Sequence, residues 1–240
     1  MKLTFLGTRG YIDPRTDLHK MHSSMAVSYY DTRLIIDCGE DWLGQISSWK
    51  AEAIVVTHAH PDHAWGLREG APCPVYATAD SWQMMDNFEI EDREVVEVRR
   101  PFEIGCIRLE AFGVEHSTRA PAVGYRVTAG AVEIFYVPDV VWIREREEAL
   151  QGCRAYVGDG ATMARSMVRK SDNTLIGHTP VRTQLTWCQK MGVPRAIITH
   201  CGAGIVAGDR AKVEARLQKM ADERSVQAEI AYDGLEVVLR

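Results

Sequence analysis

The feature that most constrains this chain is residues 57–63, which read Thr-His-Ala-His-Pro-Asp-His and directly follow an apolar, β-branched run. Such a run is typical of a short buried strand. Because side chains alternate along extended backbone, His58 and His60 point to the same side. Asp62 and His63 follow where a proline turns the chain out of the strand. Three imidazoles and a carboxylate therefore leave one strand end together.

Neutral imidazole nitrogens and carboxylate oxygens are ligands that suit zinc, manganese or iron. The alternative is a solvated, histidine-rich loop that binds nothing, but the order His-x-His-x-Asp-His directly after a buried strand favours a metal site. A metal that only stabilises the fold is disfavoured, because such sites are usually closed and rich in cysteine. No cysteine lies in residues 57–63.

This string resembles the signature of the metallo-β-lactamase-fold hydrolases. Further residues of the kind that the family uses follow other strand-like runs in the expected order, namely His116, Asp139 and His200. The resemblance implies an α+β fold of the αβ/βα type. In this four-layer sandwich two mixed β-sheets lie face to face with helices outside, and residues 1–240 form a single domain.

The resemblance also implies a centre of two divalent metal ions, with zinc first and manganese or iron as alternatives. One cation would be held by His58, His60 and His116, and the other by Asp62, His63 and His200. Asp139 would bridge them. Because all seven positions are filled, a two-metal centre is expected instead of a one-metal centre. Asp62 and His178 are the residues expected to act in catalysis.

Two further strings resemble one branch of the family, which contains ribonuclease Z and the cyclic phosphodiesterase of phosphonate breakdown. Gly7-Thr8-Arg9-Gly10 follows the first strand, and Asp233-Gly234-Leu235-Glu236 lies near the end of the chain. In that branch a histidine before a helix donates a proton to the leaving oxygen, which implies that His178 is a general acid. A surface or helix-capping histidine is the alternative.

The function implied is hydrolysis of a small or cyclic phosphodiester by a metal-bridging hydroxide, with His178 as the acid. One alternative is a hydrolase of the same fold that acts on a thioester, lactone or β-lactam. Another is a non-catalytic protein that binds a metal or a cofactor precursor. Between Asp139 and His178 there is no long basic insertion of the kind with which tRNA-processing relatives grip their substrate.

The composition restricts which partners this protein is expected to bind and where it is expected to work. A formal charge of −5 argues against binding long nucleic acid mainly through a basic surface. The six cysteines show no Cys-x-x-Cys pair, and no signal peptide or membrane-spanning apolar run is visible, so reduced thiols and a cytoplasmic location are expected. A homodimer is an open alternative because dimers are common in the family.

Several residues keep two interpretations at this point. His22 is either a surface histidine or a donor beneath the metal site, and Asp159 is either a carboxylate near the site or a turn residue. Arg165, Arg169 and Lys170 either bind a substrate phosphate or form a solvated basic face. Asp37 is expected to brace the metal-binding loop. Residues 40–49 are predicted to form a short helix and residues 161–173 a loop.

Overall fold

The computed structural model describes residues 1–171 and 174–240. The strands of this part of the chain are β1 (Lys2–Gly7), β2 (Ser24–Tyr29), β3 (Thr32–Ile36), β4 (Ala53–Val55), β5 (Val75–Thr78), β6 (Arg93–Val96), β7 (Phe102–Ile104), β8 (Ile107–Glu115), β9 (Ala122–Ala129), β10 (Val132–Val137), β11 (Trp142–Ile143), β12 (Ala155–Asp159), β13 (Arg169–Ser171), β14 (Thr174–Ile176), β15 (Arg195–Thr199), β16 (Gln227–Ile230) and β17 (Glu236–Val238). The helices are α1 (Pro61–Ala64), α2 (Ala79–Met84), α3 (Arg146–Leu150), α4 (Val181–Met191), α5 (Ala203–Val206) and α6 (Arg210–Asp222).

The strands form two mixed sheets and a small hairpin. The first sheet has the order β17-β1-β2-β3-β4-β5-β6, with antiparallel pairs from β17 to β3 and parallel pairs from β3 to β6. The second has the order β11-β8-β9-β10-β12-β15-β16, and β7 pairs with β8. In this sheet β8 and β10 are each antiparallel to β9, while β10, β12 and β15 are parallel. The strands β8, β10, β12 and β15 therefore all run in the same direction.

The largest apolar cluster lies between the two sheets and combines side chains of both, among them Phe5, Val27, Tyr125 and Ile134. A second cluster packs the outer face of the second sheet against α3, α4 and α6. A third covers the outer face of the first sheet with α1 and α2. Burial of both faces of both sheets supplies the main stabilising free energy. The predicted four-layer αβ/βα sandwich is confirmed.

Two local predictions were wrong. Residues 40–49 form two short 3-10 helices, Glu40–Trp42 and Ile46–Ser48, instead of one helix. Gly44, between them, has a φ of +71°, which lies in the left-handed region and ends a continuous helix. The predicted loop 161–173 contains β13, which pairs with β14, and its last two residues lie outside the described part of the chain.

Among the helices of the described residues, none is both long enough and apolar enough to span a membrane.

Candidate metal centre

The functional side chains lie where strands end. His116 directly follows β8, Asp159 is the last residue of β12, and His200 directly follows β15. Asp139 comes two residues after β10. Because these four strands run in the same direction, their carboxyl ends meet at one edge of the second sheet, which is where α/β proteins commonly bind ligands. The segment after β4 of the first sheet meets them there.

All seven predicted ligands are brought together. One atom from each of His58, His60, His116 and Asp139 lies within 4.8 Å of the others, and the same holds for Asp62, His63, Asp139 and His200. Apart from His60, which is partly exposed, these side chains are buried. Asp139 belongs to both groups, which is the position expected of a residue shared by two cations.

The separations between these donor atoms suit bound cations. His58 Nε2 lies 3.0 Å from His60 Nδ1, and His200 Nε2 lies 3.0 Å from Asp62 Oδ2. Asp139 Oδ2 lies 3.0 Å from His63 Nε2. Around a tetrahedral zinc with ligands at about 2.0–2.1 Å, neighbouring ligand atoms lie about 3.3 Å apart. The observed separations of 3.0 Å are close to that spacing, so these donor atoms lie near enough to share a cation.

Buried polar atoms without a partner point to the same conclusion. His63 Nε2 and Asp139 Oδ1 are buried and have no hydrogen-bond partner among the described residues, since their close contacts are not aligned for hydrogen bonding. Such atoms cost free energy unless something satisfies them. A divalent cation would satisfy His63 Nε2, so the donor set fits the metal that the sequence implies. Asp139 Oδ1 instead faces Nδ1 of His200 and of His178.

The protonation states differ between the two clusters. Burial lowers the pKa of His58 and His116 below the ordinary histidine value and that of His60 to about 4, so these imidazoles are neutral at pH 7. Burial alone would raise the pKa of a carboxyl. The surrounding imidazoles outweigh it and hold the pKa of Asp62 and Asp139 well below the usual range. Neutral imidazoles and ionised carboxylates are the forms that bind metal. The first cluster is already in the form that binds metal.

The two histidines of the second cluster, His63 and His200, have raised pKa values. Burial alone would lower the pKa of both imidazoles. Nearby carboxylates outweigh burial and raise the pKa of His63 well above the ordinary histidine value and that of His200 to about 10. A cation bound to these imidazoles would therefore displace protons.

Asp37 fixes the orientation of one predicted ligand. Its Oδ2 lies 2.9 Å from His63 Nδ1, and its Oδ1 accepts from the backbone N–H of Thr57 at 2.8 Å. With Nδ1 held in this way, His63 presents Nε2 to the cluster. Asp37 thus contacts both ends of the metal-binding segment, as expected for a residue that braces it.

Asp159 and His178 form a pair beside the two clusters. Asp159 accepts from the backbone N–H groups of Val140 at 3.0 Å and Ala161 at 2.8 Å, and its Oδ2 lies 2.8 Å from His178 Nδ1. Asp159 therefore has both roles that the sequence left open. Burial lowers the pKa of His178, but the carboxylates of Asp159 and Asp139 outweigh it and raise that pKa above its ordinary value.

The Gly-Thr-x-Gly string packs against His200, a role that the sequence did not reveal. A Cβ added to Gly10 would lie 3.0 Å from Cε1 of His200. The backbone N–H of Gly10 donates to Cys201 O at 3.1 Å, and that of Cys201 donates to Thr8 O at 2.6 Å. The glycine itself was the available signal, since it permits a close approach of the backbone.

We expect Gly10→Ala to displace the His200 ring and to weaken binding of one cation by about tenfold, as disturbed supporting contacts of metal ligands do. The other cation, held by His58, His60 and His116, should be unaffected. Calorimetric zinc titration measures both affinities. Gly204→Ala is the matched control, because Gly204 lines the same cavity but an added Cβ would meet no described atom within 4 Å. Equal affinities in Gly10→Ala and wild type would contradict the role of Gly10.

His22 and the basic residues lie outside the two clusters. His22 is buried with Nδ1 3.0 Å from Asp41 Oδ2, so its contact is with this carboxylate. The clusters open into a cavity of about 570 Å³ that His178 also lines. Arg165 and Arg169, with Arg216 of α6, line a neighbouring cleft of about 860 Å³. The exposed Lys170 lies in β13.

Comparison with known proteins identifies the family. Residues 32–201 match the model of the β-lactamase superfamily domain, and the chain belongs to this superfamily. Ribonuclease Z of Methanopyrus kandleri is 32% identical over 178 residues, which cover 64% of this chain and 61% of the relative. This chain therefore spans less than two thirds of that relative's length. The match confirms the predicted resemblance to the ribonuclease Z-like branch and supports the class of metal-dependent hydrolases.

Solved structures confirm the fold. The metallo-β-lactamase-fold protein YhfI of Bacillus subtilis has a TM-score of 0.74 at 17% identity, and the match covers 98% of each chain. A diphosphatase from the PhnP family has a TM-score of 0.71 at 18% identity, covering 100% of this chain and 98% of that one. At such identities the likeness establishes the architecture alone.

Proposed function

We propose that this protein is a two-metal hydrolase that cleaves a small or cyclic phosphodiester, with His178 donating a proton to the leaving oxygen. The observation that carries the proposal is the His178–Asp159 pair, which lies against the two clusters and faces the same cavity. The proposed ligands are His58, His60 and His116 for one cation, Asp62, His63 and His200 for the other, and Asp139 for both.

Divalent cations, when bound there, lower the pKa of water and polarise a phosphoryl oxygen. Zinc, manganese and iron all suit this donor set. Asp62 Oδ2 lies 3.0 Å from His200 Nε2, so these two atoms would hold the same cation. Asp159 holds His178 through Nδ1, which leaves Nε2 to meet a substrate in the cavity. His178 is thereby positioned to protonate an oxygen that departs from phosphorus.

The need for an acid favours a phosphodiester over a thioester. An alkoxide that leaves phosphorus is a strong base, so a positioned proton donor contributes much to its departure. A thioester leaves as a weakly basic thiolate and gains less from such a donor. A lactone also releases an alkoxide, so a substrate screen has to separate it from a phosphodiester. The names of the relatives, a ribonuclease Z and a diphosphatase, support phosphoryl chemistry as well.

The size of the substrate is a separate part of the proposal. The net charge of −5 favours a small substrate over long nucleic acid. The cleft lined by Arg165, Arg169 and Arg216 would receive an anionic part of that substrate away from the bond that breaks. Since the curated relative is named a ribonuclease, short RNA is the alternative that any substrate screen must include.

The test is a screen of metal-reconstituted protein on bis-p-nitrophenyl phosphate, cyclic nucleotides, a short RNA, a thioester and a lactone. We expect turnover of the phosphodiesters, with cyclic nucleotides preferred over RNA. Turnover of only the thioester or lactone would support the rival hydrolase. Metal binding without hydrolysis of any ester would support a non-catalytic metal-binding protein.

A further inference from the structure

The two oxygens of Asp139 face different neighbours. Oδ2 lies 3.2 Å from His58 Nε2 and 3.0 Å from His63 Nε2. Oδ1 lies 3.0 Å from His200 Nδ1 and 3.3 Å from His178 Nδ1, but it has no hydrogen bond to any described residue although it is buried. Oδ2 thus lies among the donor atoms of the two clusters already described, whereas Oδ1 points towards the His178–Asp159 pair.

A third set of donors surrounds this oxygen. One atom from each of Asp139, Asp159, His178 and His200 lies within 4.8 Å of the others. The shortest separation, 2.8 Å, joins His178 Nδ1 and Asp159 Oδ2. His200 faces this set through Nδ1, which lies 3.0 Å from Asp139 Oδ1 and is also buried without a hydrogen-bond partner among the described residues. We assign His200 to the second cation, which leaves Asp139, Asp159 and His178 as the donors of this set. Two carboxylates and an imidazole form a ligand set for zinc or manganese.

We propose that Asp139 Oδ1, Asp159 and His178 form a third, weaker site for a divalent cation, and that a cation bound there inhibits the enzyme. The cation takes the place of the Nδ1 proton between His178 and Asp159, so the imidazole can no longer be the doubly protonated acid that gives up a proton from Nε2. The proposed inhibition of the enzyme rests on the proposed function, whereas the proposed binding of a third cation does not.

Two properties of the third site explain why a cation would bind there weakly and reversibly: solvent reaches it, and backbone N–H groups compete for one of its ligands. The side chain of His178 is 20% exposed and lines the cavity, so a cation can enter from solvent. Asp159 already accepts two backbone N–H groups, which compete with a cation for its lone pairs. Only three protein ligands are available. The site therefore fills after the other two.

The binding test is equilibrium dialysis of the untagged full chain against rising Zn²⁺ or Mn²⁺. Wild type should bind two cations and then a third at higher concentration. His178→Gln and Asp159→Asn should stop at two, and Gly204→Ala, in the same cavity, should bind three. Should Asp159→Asn not fold, the partly exposed His178 still provides the test. Saturation of wild type at two, or a third cation retained by His178→Gln, would overturn the site.

The inhibition test compares two substrates with different leaving groups while the concentration of the divalent cation is raised. The rate on a 2′,3′-cyclic nucleotide should fall by about tenfold or more, because its alkoxide needs the proton of His178. The rate on bis-p-nitrophenyl phosphate, which releases a weak base, should change much less. Equal inhibition of both substrates would overturn capture of His178. Absence of any hydrolysis would instead contradict the proposed function and leave the dialysis result to decide the site.

Discussion

Asp139→Ala is expected to lose both cations and nearly all activity, the largest effect of any substitution considered. Asp139 is the carboxylate shared by the two clusters, with imidazoles of five histidines within 3.0–3.6 Å of its oxygens. Without it neither cation keeps a complete ligand set. We expect kcat/KM to fall by about 10³-fold or more, equivalent to about 4 kcal/mol of transition-state stabilisation.

Elemental analysis after dialysis measures the metal content of this variant, and circular dichroism checks that it folds. Asp41→Ala is the control, because Asp41 pairs with Arg9 and His22 and lies outside the donor clusters. The control should keep two cations per chain. Asp139→Ala protein that folds and also keeps two cations would show that the carboxylate is not shared in the way we propose.

His178→Ala should separate proton donation from metal binding. On a 2′,3′-cyclic nucleotide we expect kcat to fall by about 10²–10⁴-fold, which is the usual contribution of a general acid. On bis-p-nitrophenyl phosphate the loss should be less than about tenfold, because p-nitrophenolate leaves without a proton. The metal content at stoichiometric supply should stay at two. Steady-state kinetics on both substrates provides the measurement.

A second histidine outside the clusters serves as the control. His19 is buried with Nδ1 2.8 Å from Thr8 Oγ1, and it belongs to none of the donor clusters. His19→Gln should therefore affect both substrates equally, through stability alone. If His178→Ala loses the same factor on both substrates, or loses none, His178 is not the proton donor and the phosphodiester proposal loses its main support.

The placement of the donor residues was accessible from sequence because each one follows a strand. An apolar run before His58, His116 or His200 marks a buried strand, and parallel strands bring their carboxyl ends to one edge. The order of ligand types along the chain then resembled the order found in a single family. The four-layer architecture followed from that resemblance, and the comparisons confirm both.

The remaining features depend on contacts between distant parts of the chain. Asp159 and His178 meet only because β12 ends beside the loop before α4, and no local pattern encodes that meeting. The contact between Gly10 and His200 arises in the same way. The short 3-10 helices replaced a predicted helix because Gly44 adopts a left-handed conformation. Helical propensity penalises a glycine in a helix interior by about 1 kcal/mol, which is too little to place the interruption by itself.

The central claim is that seven side chains converge to hold two cations, and anomalous diffraction from crystals grown with zinc tests it most directly. The account predicts one peak among His58, His60 and His116 and a second among Asp62, His63 and His200, with Asp139 reaching both. A single peak, or peaks only at other residues, would contradict it.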